Sequence, residues 1–375
     1  YVLSRQGLVS AGWGFTGSAG LFFAALLSKE HAVTLPVMVA MAEVALFRPP
    51  RKELFIRLAG MALVTGVGLL SLSFLVRPHG EGKAAGILLT IAAYYQEAGL
   101  TLSQVLMTQC RNVFSYLSLI FLPLPWKVQI LSPTVIASSL TESTGTLASV
   151  LGVVALAGGG VVLLFFRPLV GFGIVWFLVN LVPESFLVPQ YLYLPYRASL
   201  PMVGIALALG DLVVLSLPYV ERLAGRAVAT VTACAVFSCA LCFCGWVTIT
   251  KAETWRNPVT FWGSVVAAFP QDTTRMEKHG ATQALQNFGQ ALVQAGRHDE
   301  AIQALERARE LLPNMSRSYA ALANAYLEAG DVKKARWYLE EALSRKLDSS
   351  DVYLTVGKLL VKEGRLTEAL SLIHI

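Results

Sequence analysis

Up to residue 250 apolar residues follow one another in runs of about 20, and beyond it they recur at every third or fourth position. The first pattern is that of helices crossing a bilayer, the second that of amphipathic helices packing through one face. Seven runs qualify as spans, at 7–27, 32–47, 54–76, 145–166, 169–187, 200–220 and 227–249. The long connection 77–144, an outer-face loop, holds an amphipathic stretch at 111–126 that should lie on the membrane or dip into it. The chain is therefore expected to be all-α: a polytopic transmembrane helix bundle at 1–250, a linker or cap at 251–281, and an α-solenoid at 282–375.

The solenoid rests on a period of 34 residues. Gly289, Ala323 and Gly357 align, as do Gly296, Gly330 and Gly364, then Ala301, Ala335 and Ala369, with Ala308 and Ala342 in the same frame. Small side chains at such places let the two helices of a hairpin approach, and Gly ends the first helix of each pair. Leu285, Phe288, Leu292 and Leu305 fill what remains between them. The pattern resembles the tetratricopeptide repeat (TPR), with units at 282–315 and 316–349 and an incomplete third at 350–375. Pro313 closes the first unit, and Leu347 stands where the second would carry Pro. These residues are scaffold. Their groove implies a protein or peptide partner.

Charge separates the two halves. Residues 1–250 carry 23 charged side chains, and residues 251–375, half as many residues, carry 31. The net charge of +6 sits almost wholly in the apolar half, and no basic run with interleaved aromatics occurs, so no nucleic acid is expected as a partner. Arg48, Arg51 and Lys52, then Arg167, then Arg222 and Arg226 fall in loops of one face, which the positive-inside rule assigns to the cytoplasm. The 77–144 loop, the 183–199 loop and the repeats then lie on the extracytoplasmic side of the lipid bilayer. A bacterial inner or plasma membrane and an endoplasmic reticulum membrane both satisfy this topology.

Several polar or small residues stand out within the apolar runs. Glu43, about one turn from Arg48, is expected to form an interfacial pair with it or to snorkel its carboxylate to the interface, and Asp211 lies near the middle of its run. Gly158, Gly159 and Gly160 in a row mark close helix contact or a kink, and Cys234, Cys239, Cys242 and Cys244 read as helix packing, not a metal cage. Trp255 and Trp262 should cap the solenoid or anchor it at the interface.

No soluble-enzyme signature is present: no P-loop, no GxGxxG, no GxSxG and no HExxH. Polar residues cluster instead where spans meet the outer face. One cluster is 28–36 with Lys29, Glu30 and His31; another is 108–117 with Gln109 and Arg111; the third is 182–204 with Glu184 and Arg197. Interfacial anchoring would account for each alone. Taken in order, they resemble the membrane protein O-mannosyltransferases that carry TPR repeats, within the GT-C class of polyprenyl-phosphate-sugar-dependent glycosyltransferases. The likeness is carried by Lys29-Glu30 before Thr34-Leu35-Pro36, by Thr108-Gln109-Cys110-Arg111 before Leu122-Pro123, by Glu184-Ser185, and by Arg197, Leu200, Pro201 and Gly204. Tyr196 departs from the acidic residue or His usual there, and Met202 from Ser.

The resemblance implies a GT-C-like bundle that moves a mannose-like sugar from a polyprenyl-phosphate donor to an acceptor hydroxyl on the extracytoplasmic face. Lys29 and Arg197 would neutralise the departing phosphate, and Arg111 and His31 would meet phosphate or sugar. Glu30 and Glu184 would position those cations. The repeats would hold the acceptor or a partner protein. The family's acidic loop, with its catalytic Asp or Glu and room for a divalent metal, would lie upstream of Tyr1, and the chain is expected to be an internal piece of a longer protein. A membrane-anchored TPR scaffold without catalysis is the alternative, and a polymerase or ligase of lipid-linked glycans a more distant one.

Overall fold

The computed structural model describes residues 5, 10–28, 30–75, 95, 100–183, 192–269, 275–347 and 349–371, and every regular element among them is helical. They form two compact units. The first comprises Tyr1–Leu122, Ile136–Leu192 and Tyr196–Leu241; the second comprises Pro123–Val135, Tyr193–Pro195 and Cys242–Ile375.

The helices of the first unit are α1 (Ala11–Ser28), α2 (Leu35–Ala42), α3 (Arg51–Leu75), α4 (Leu102–Phe121), α5 (Thr144–Phe166), α6 (Pro168–Val182) and α7 (Pro201–Ala224). The boundary between units falls inside α8 (Arg226–Arg256). Short turns of tighter or wider helix at Glu30–Thr34, Glu43–Phe47 and Pro195–Ala198 flank them. Among the described residues, each apolar run of the sequence falls on helical segments. Among the described residues α5, α7 and α8 are long and apolar enough to cross a membrane. The helices at Ala32–Phe47 and Pro168–Val182 are apolar but shorter.

Local chemistry sets the ends. The Ser143 hydroxyl accepts the Thr146 N–H at 3.3 Å to open α5. At its other end Pro168 excludes helical geometry for Arg167, then serves as the first residue of α6. Thr101 and Gln104 form a reciprocal capping box at the start of α4.

Glycines bring these helices together. A Cβ on Gly171 would strike the α5 backbone at Leu163 and Leu164, and a Cβ on Gly173 or Gly204 would strike the other's carbonyl oxygen. Such approach is how helices associate where lipid is no worse a solvent than leucine. Of the three consecutive glycines only Gly160 is a contact, with Ile174 Cγ2 at 2.9 Å from its would-be Cβ; Gly158 and Gly159 face open space. Helices α6 and α7 run antiparallel, since Trp176 lies against Gly204 and bonds Leu200, while Gly173 lies against Gly204 and Ala208. Burial in α7 stops at Ala208: Asp211 is half-buried, and Leu212, Val213 and Val214 are exposed.

Two expectations change. Glu43 does not pair with Arg48; it is fully buried against Arg5 at 2.8 Å and Arg57 at 3.3 Å. The wider turn at Glu43–Phe47 ends with Arg48 at φ 45°, so the one-turn spacing is lost. The Arg48 guanidinium instead caps α5, donating to the carbonyls of Leu164 (3.2 Å) and Phe165 (3.3 Å). This seats the 48–52 loop beside the Arg167 turn, and antiparallel α7 carries Arg222 toward the same end. The amphipathic stretch, expected at 111–126, is the helix Leu102–Phe121, and its inner face packs. Val105, Thr108, Asn112, Tyr116 and Leu119 are buried, and Phe114 fills the space beside Gly152.

In the second unit α9 (Pro258–Ala268) precedes α10 (Arg275–Gln294), α11 (His298–Leu311), α12 (Ser316–Glu328), α13 (Val332–Ser344), α14 (Ser350–Lys362) and α15 (Leu366–Ser371). From α10 onward they pair as hairpins around Leu305, Tyr319, Leu322, Ala323, Leu327, Ala335 and Leu339. Gly296, Gly330 and Gly364 take φ of 74°, 86° and 78°. The turn closes identically three times, by Arg297 N–H to Leu292, Asp331 N–H to Tyr326 and Arg365 N–H to Leu360, each 2.9 Å. Tight packing shows at Gly289, whose Cβ would sit 2.5 Å from Leu305 Cγ. The missing proline of the second repeat also has a consequence: before Pro313, Leu312 is extended, whereas before Leu347, Lys346 turns left-handed at φ 55°. Helix α9 caps α10 through Gly263 and Phe288, and Trp255 stacks edge-on to Phe261 at 5.9 Å while staying exposed.

Candidate functional site

Helices α10, α12 and α14 are the first members of three pairs, and their corresponding faces line one groove. A cavity of about 200 Å³ lies there, bordered by Gln290, Arg317, Asn324, Asp351, Thr355 and Lys358 among others. The 34-residue period stacks these residues in columns: Gln283, Arg317 and Asp351; Asn287, Ala321 and Thr355; Gln290, Asn324 and Lys358. Neighbouring repeats are joined by side chains. Arg317 Nη2 donates to Asn287 Oδ1 at 3.3 Å, and Lys358 Nζ donates to Asn324 Oδ1 at 2.9 Å. Beneath them buried Gln286 donates to Ser318 Oγ at 2.8 Å, fixing the first repeat to the second.

Of the residues that the sequence nominated in the apolar half, Lys29 and Glu184 lie outside the described residues. Glu30 and His31 begin the turn Glu30–Thr34, and their side chains lie outside the description. Arg197 is in the turn before α7, with 6% of its surface exposed. Arg111 is half-buried on α4.

The segments carrying these residues are tied together by hydrogen bonds within the first unit, buried at Thr34, Gln109 and Asn112 and part-buried at Trp176. Gln109 Nε2 and Asn112 Nδ2 both donate to the Leu192 carbonyl, at 3.0 and 2.9 Å, which joins α4 to the approach to Arg197. Thr34 Oγ1 donates to Asn180 Oδ1 at 2.8 Å, and Trp176 Nε1 donates to the Leu200 carbonyl at 3.0 Å. The 28–36 and 195–204 segments are thus both fastened to α6.

Three of these polar residues, Thr34, Asn112 and Asn180, were not singled out as site residues, nor was Glu142 in the turn before α5. Asn180 had a usable signal, a carboxamide inside an apolar run. Glu142 had none, because its setting is tertiary. The Ser138 N–H at 2.6 Å, then the Ser138 hydroxyl, hold its carboxyl below the ordinary range, with Arg111 a smaller influence. Among the described residues no group of three or more His, Cys, Asp or Glu could hold a metal ion. Cys234, Cys239, Cys242 and Cys244 are exposed on α8, so none marks a helix contact there.

The paired helices with their repeated left-handed turns define an α-solenoid with a polar groove. Its repeats are tetratricopeptide repeats: residues 292–353, from α10 into α14, match the family model of that name. Repeats of this kind bind proteins or peptides. No curated protein matches the chain.

Proposed function

We propose that the repeats hold a segment of another polypeptide in the groove of α10, α12 and α14, and that the apolar half, spanning a membrane, moves a mannose-like sugar onto a hydroxyl of that polypeptide. The columns of polar side chains in the groove support the first statement. Support for the second is the joining of the three segments that carry the transferase resemblance, through Thr34 and Asn180, Gln109 and Leu192, and Trp176 and Leu200.

In this reading the donor keeps its polyprenyl chain in lipid and its phosphate at the extracytoplasmic boundary. The acceptor oxygen attacks the anomeric carbon, the bond from that carbon to phosphate oxygen breaks, and the hydroxyl proton passes to a carboxylate base. Lys29 and Arg197 meet the phosphate as its charge grows, with Arg111 and His31 beside donor or sugar. Glu30 and Glu184 hold the cations in place.

The test is sugar transfer from a polyprenyl-phosphate-mannose donor in membranes holding the full-length protein. Lys29→Ala and Arg197→Ala should each abolish transfer while the protein still inserts. Normal transfer by both variants would reject the assignment and leave a non-catalytic membrane-anchored scaffold.

A further inference from the structure

Helix α7 carries polar atoms on a face that the described residues cover only in part. Its 24 residues extend about 36 Å, and Asp211 stands about 16 Å from Arg222, near the middle of a hydrocarbon layer about 30 Å thick. An acid at that depth is costly unless a donor reaches it. Among the described residues Asp211 makes no hydrogen bond and no ion pair. It follows Gly204 and Ala208, which meet Gly173 of α6, along one stripe of the helix. Beyond it Leu215 and Pro218 continue that stripe in the open.

A second acceptor lies one turn away. Pro218 has no N–H, so the carbonyl of Val214, four residues before it, loses its helical donor. Val214 is itself exposed. The Ser216 hydroxyl is engaged elsewhere, donating to the Val213 carbonyl at 2.8 Å. Asp211 and Val214 thus offer two acceptors, one of them an acid, with no donor between them.

A second copy of the chain does not hold the cation that this charge calls for. Of the seven apolar runs only 54–76 contains a Lys or Arg. That residue, Arg57, stands near the start of its run and is bound to Glu43 and Glu53. A second α7 would bring only another acid to the same depth. We propose that the Asp211 face of α7 docks a transmembrane helix of another polypeptide that carries a Lys or Arg near its middle. The cation meets the Asp211 carboxylate and the Val214 carbonyl together, and Leu212 and Leu215 pack beside it. This rests on the reading of the apolar half as spanning a membrane.

The probes are two transmembrane peptides of about 24 residues, built of Leu and Ala with one photo-cross-linking leucine analogue. One has Lys at its centre and the other Leu. Each is reconstituted with the full chain in phosphatidylcholine vesicles, and the cross-linked adduct is quantified and mapped. The Lys peptide should give about fivefold more adduct than the Leu peptide, located on α7. Asp211→Leu should bring it down to the level of the Leu peptide, with membrane insertion and thermal midpoint kept. Pro218→Ala, which restores an N–H to the Val214 carbonyl, should lower it less. Equal yields from the two peptides, or a Lys preference that survives Asp211→Leu, would overturn the proposal. So would cross-linking of two copies through α7 that Asp211→Leu abolishes, since the face would then belong to a second copy. Release of the protein from the vesicles by alkaline carbonate would remove the membrane reading itself.

Discussion

Single atoms decide how close the helices of this chain can come, and the decision can be tested. Gly204 faces Gly173 so closely that a Cβ on either meets a carbonyl oxygen, which cannot be moved without moving a helix. Gly204→Leu should lower the thermal midpoint of the detergent-solubilised protein, at a cost of about 3 kcal/mol. Gly158→Ala, where nothing lies within 4 Å, should leave it unchanged. Lys346 is a second such position, a non-glycine residue in the left-handed region at the end of α13. Lys346→Gly should stabilise the repeats by about 1 kcal/mol, read as a rise in the temperature at which their helical signal melts. The sequence announced the first kind of residue, since small residues in apolar runs mark contact, but not which glycine of three would be the contact. It pointed to the second only through the absence of a proline after it.

At the scale of elements, periodicity was a sound guide and polar contacts were not. The 34-residue spacing specified Gly296, Gly330 and Gly364 as helix stops, and each is one. The pairing of Glu43 with Arg48 failed because a wider helical turn is a tertiary response that no local pattern encodes. Likewise the partners of Gln109, Asn180 and Thr34 come from segments tens of residues away. The ion pairs at the head of the second helix of each repeat follow the same period. Arg297 with Glu300 and Arg365 with Glu368 occupy equivalent places, and in the middle repeat Asp331 with Lys334 takes the same place with the signs exchanged. Bonds from Arg297 and Arg365 hold the carboxyls of Glu300 and Glu368 below their ordinary range. Their stabilisation is therefore present above the ordinary carboxylate range and fades as pH falls through the depressed values. Because the pairs are exposed, the effect is small and salt weakens it. The melting temperature of the repeats should drop from pH 5 to pH 3, and Glu300→Gln with Glu368→Gln should flatten that acid limb.

For the molecule as a whole, the decisive property is where apolar surface is left uncovered. Beyond Ala208 the outward side chains of α7 include Leu212, Val213, Val214 and Leu223, and those of α8 include Val231, Val236, Phe237 and Leu241, all exposed. Each would be worth about 1.5–3 kcal/mol if taken out of water, so such a surface belongs in lipid or against other apolar helices. The loop beginning at Arg48 and the turn at Arg167 share one end of the first unit, as the positive-inside reading requires of loops on one side of a bilayer. That reading predicts the side the repeats face. The sequence has no cysteine after Cys244, so Lys333→Cys would place a single thiol on the repeats. A membrane-impermeant maleimide should label it from the extracytoplasmic side of sealed membranes; labelling only after permeabilisation would reverse the topology. The thrice-repeated turn has a consequence of another kind. Because Arg297, Asp331 and Arg365 close onto Leu292, Tyr326 and Leu360 at one spacing, a copy of residues 316–349 inserted by duplication of the coding segment would meet its neighbours through surfaces that already exist. Each copy would bring another pair of helices with the same faces, so the solenoid can be lengthened by recombination in whole blocks, without a new interface having to evolve.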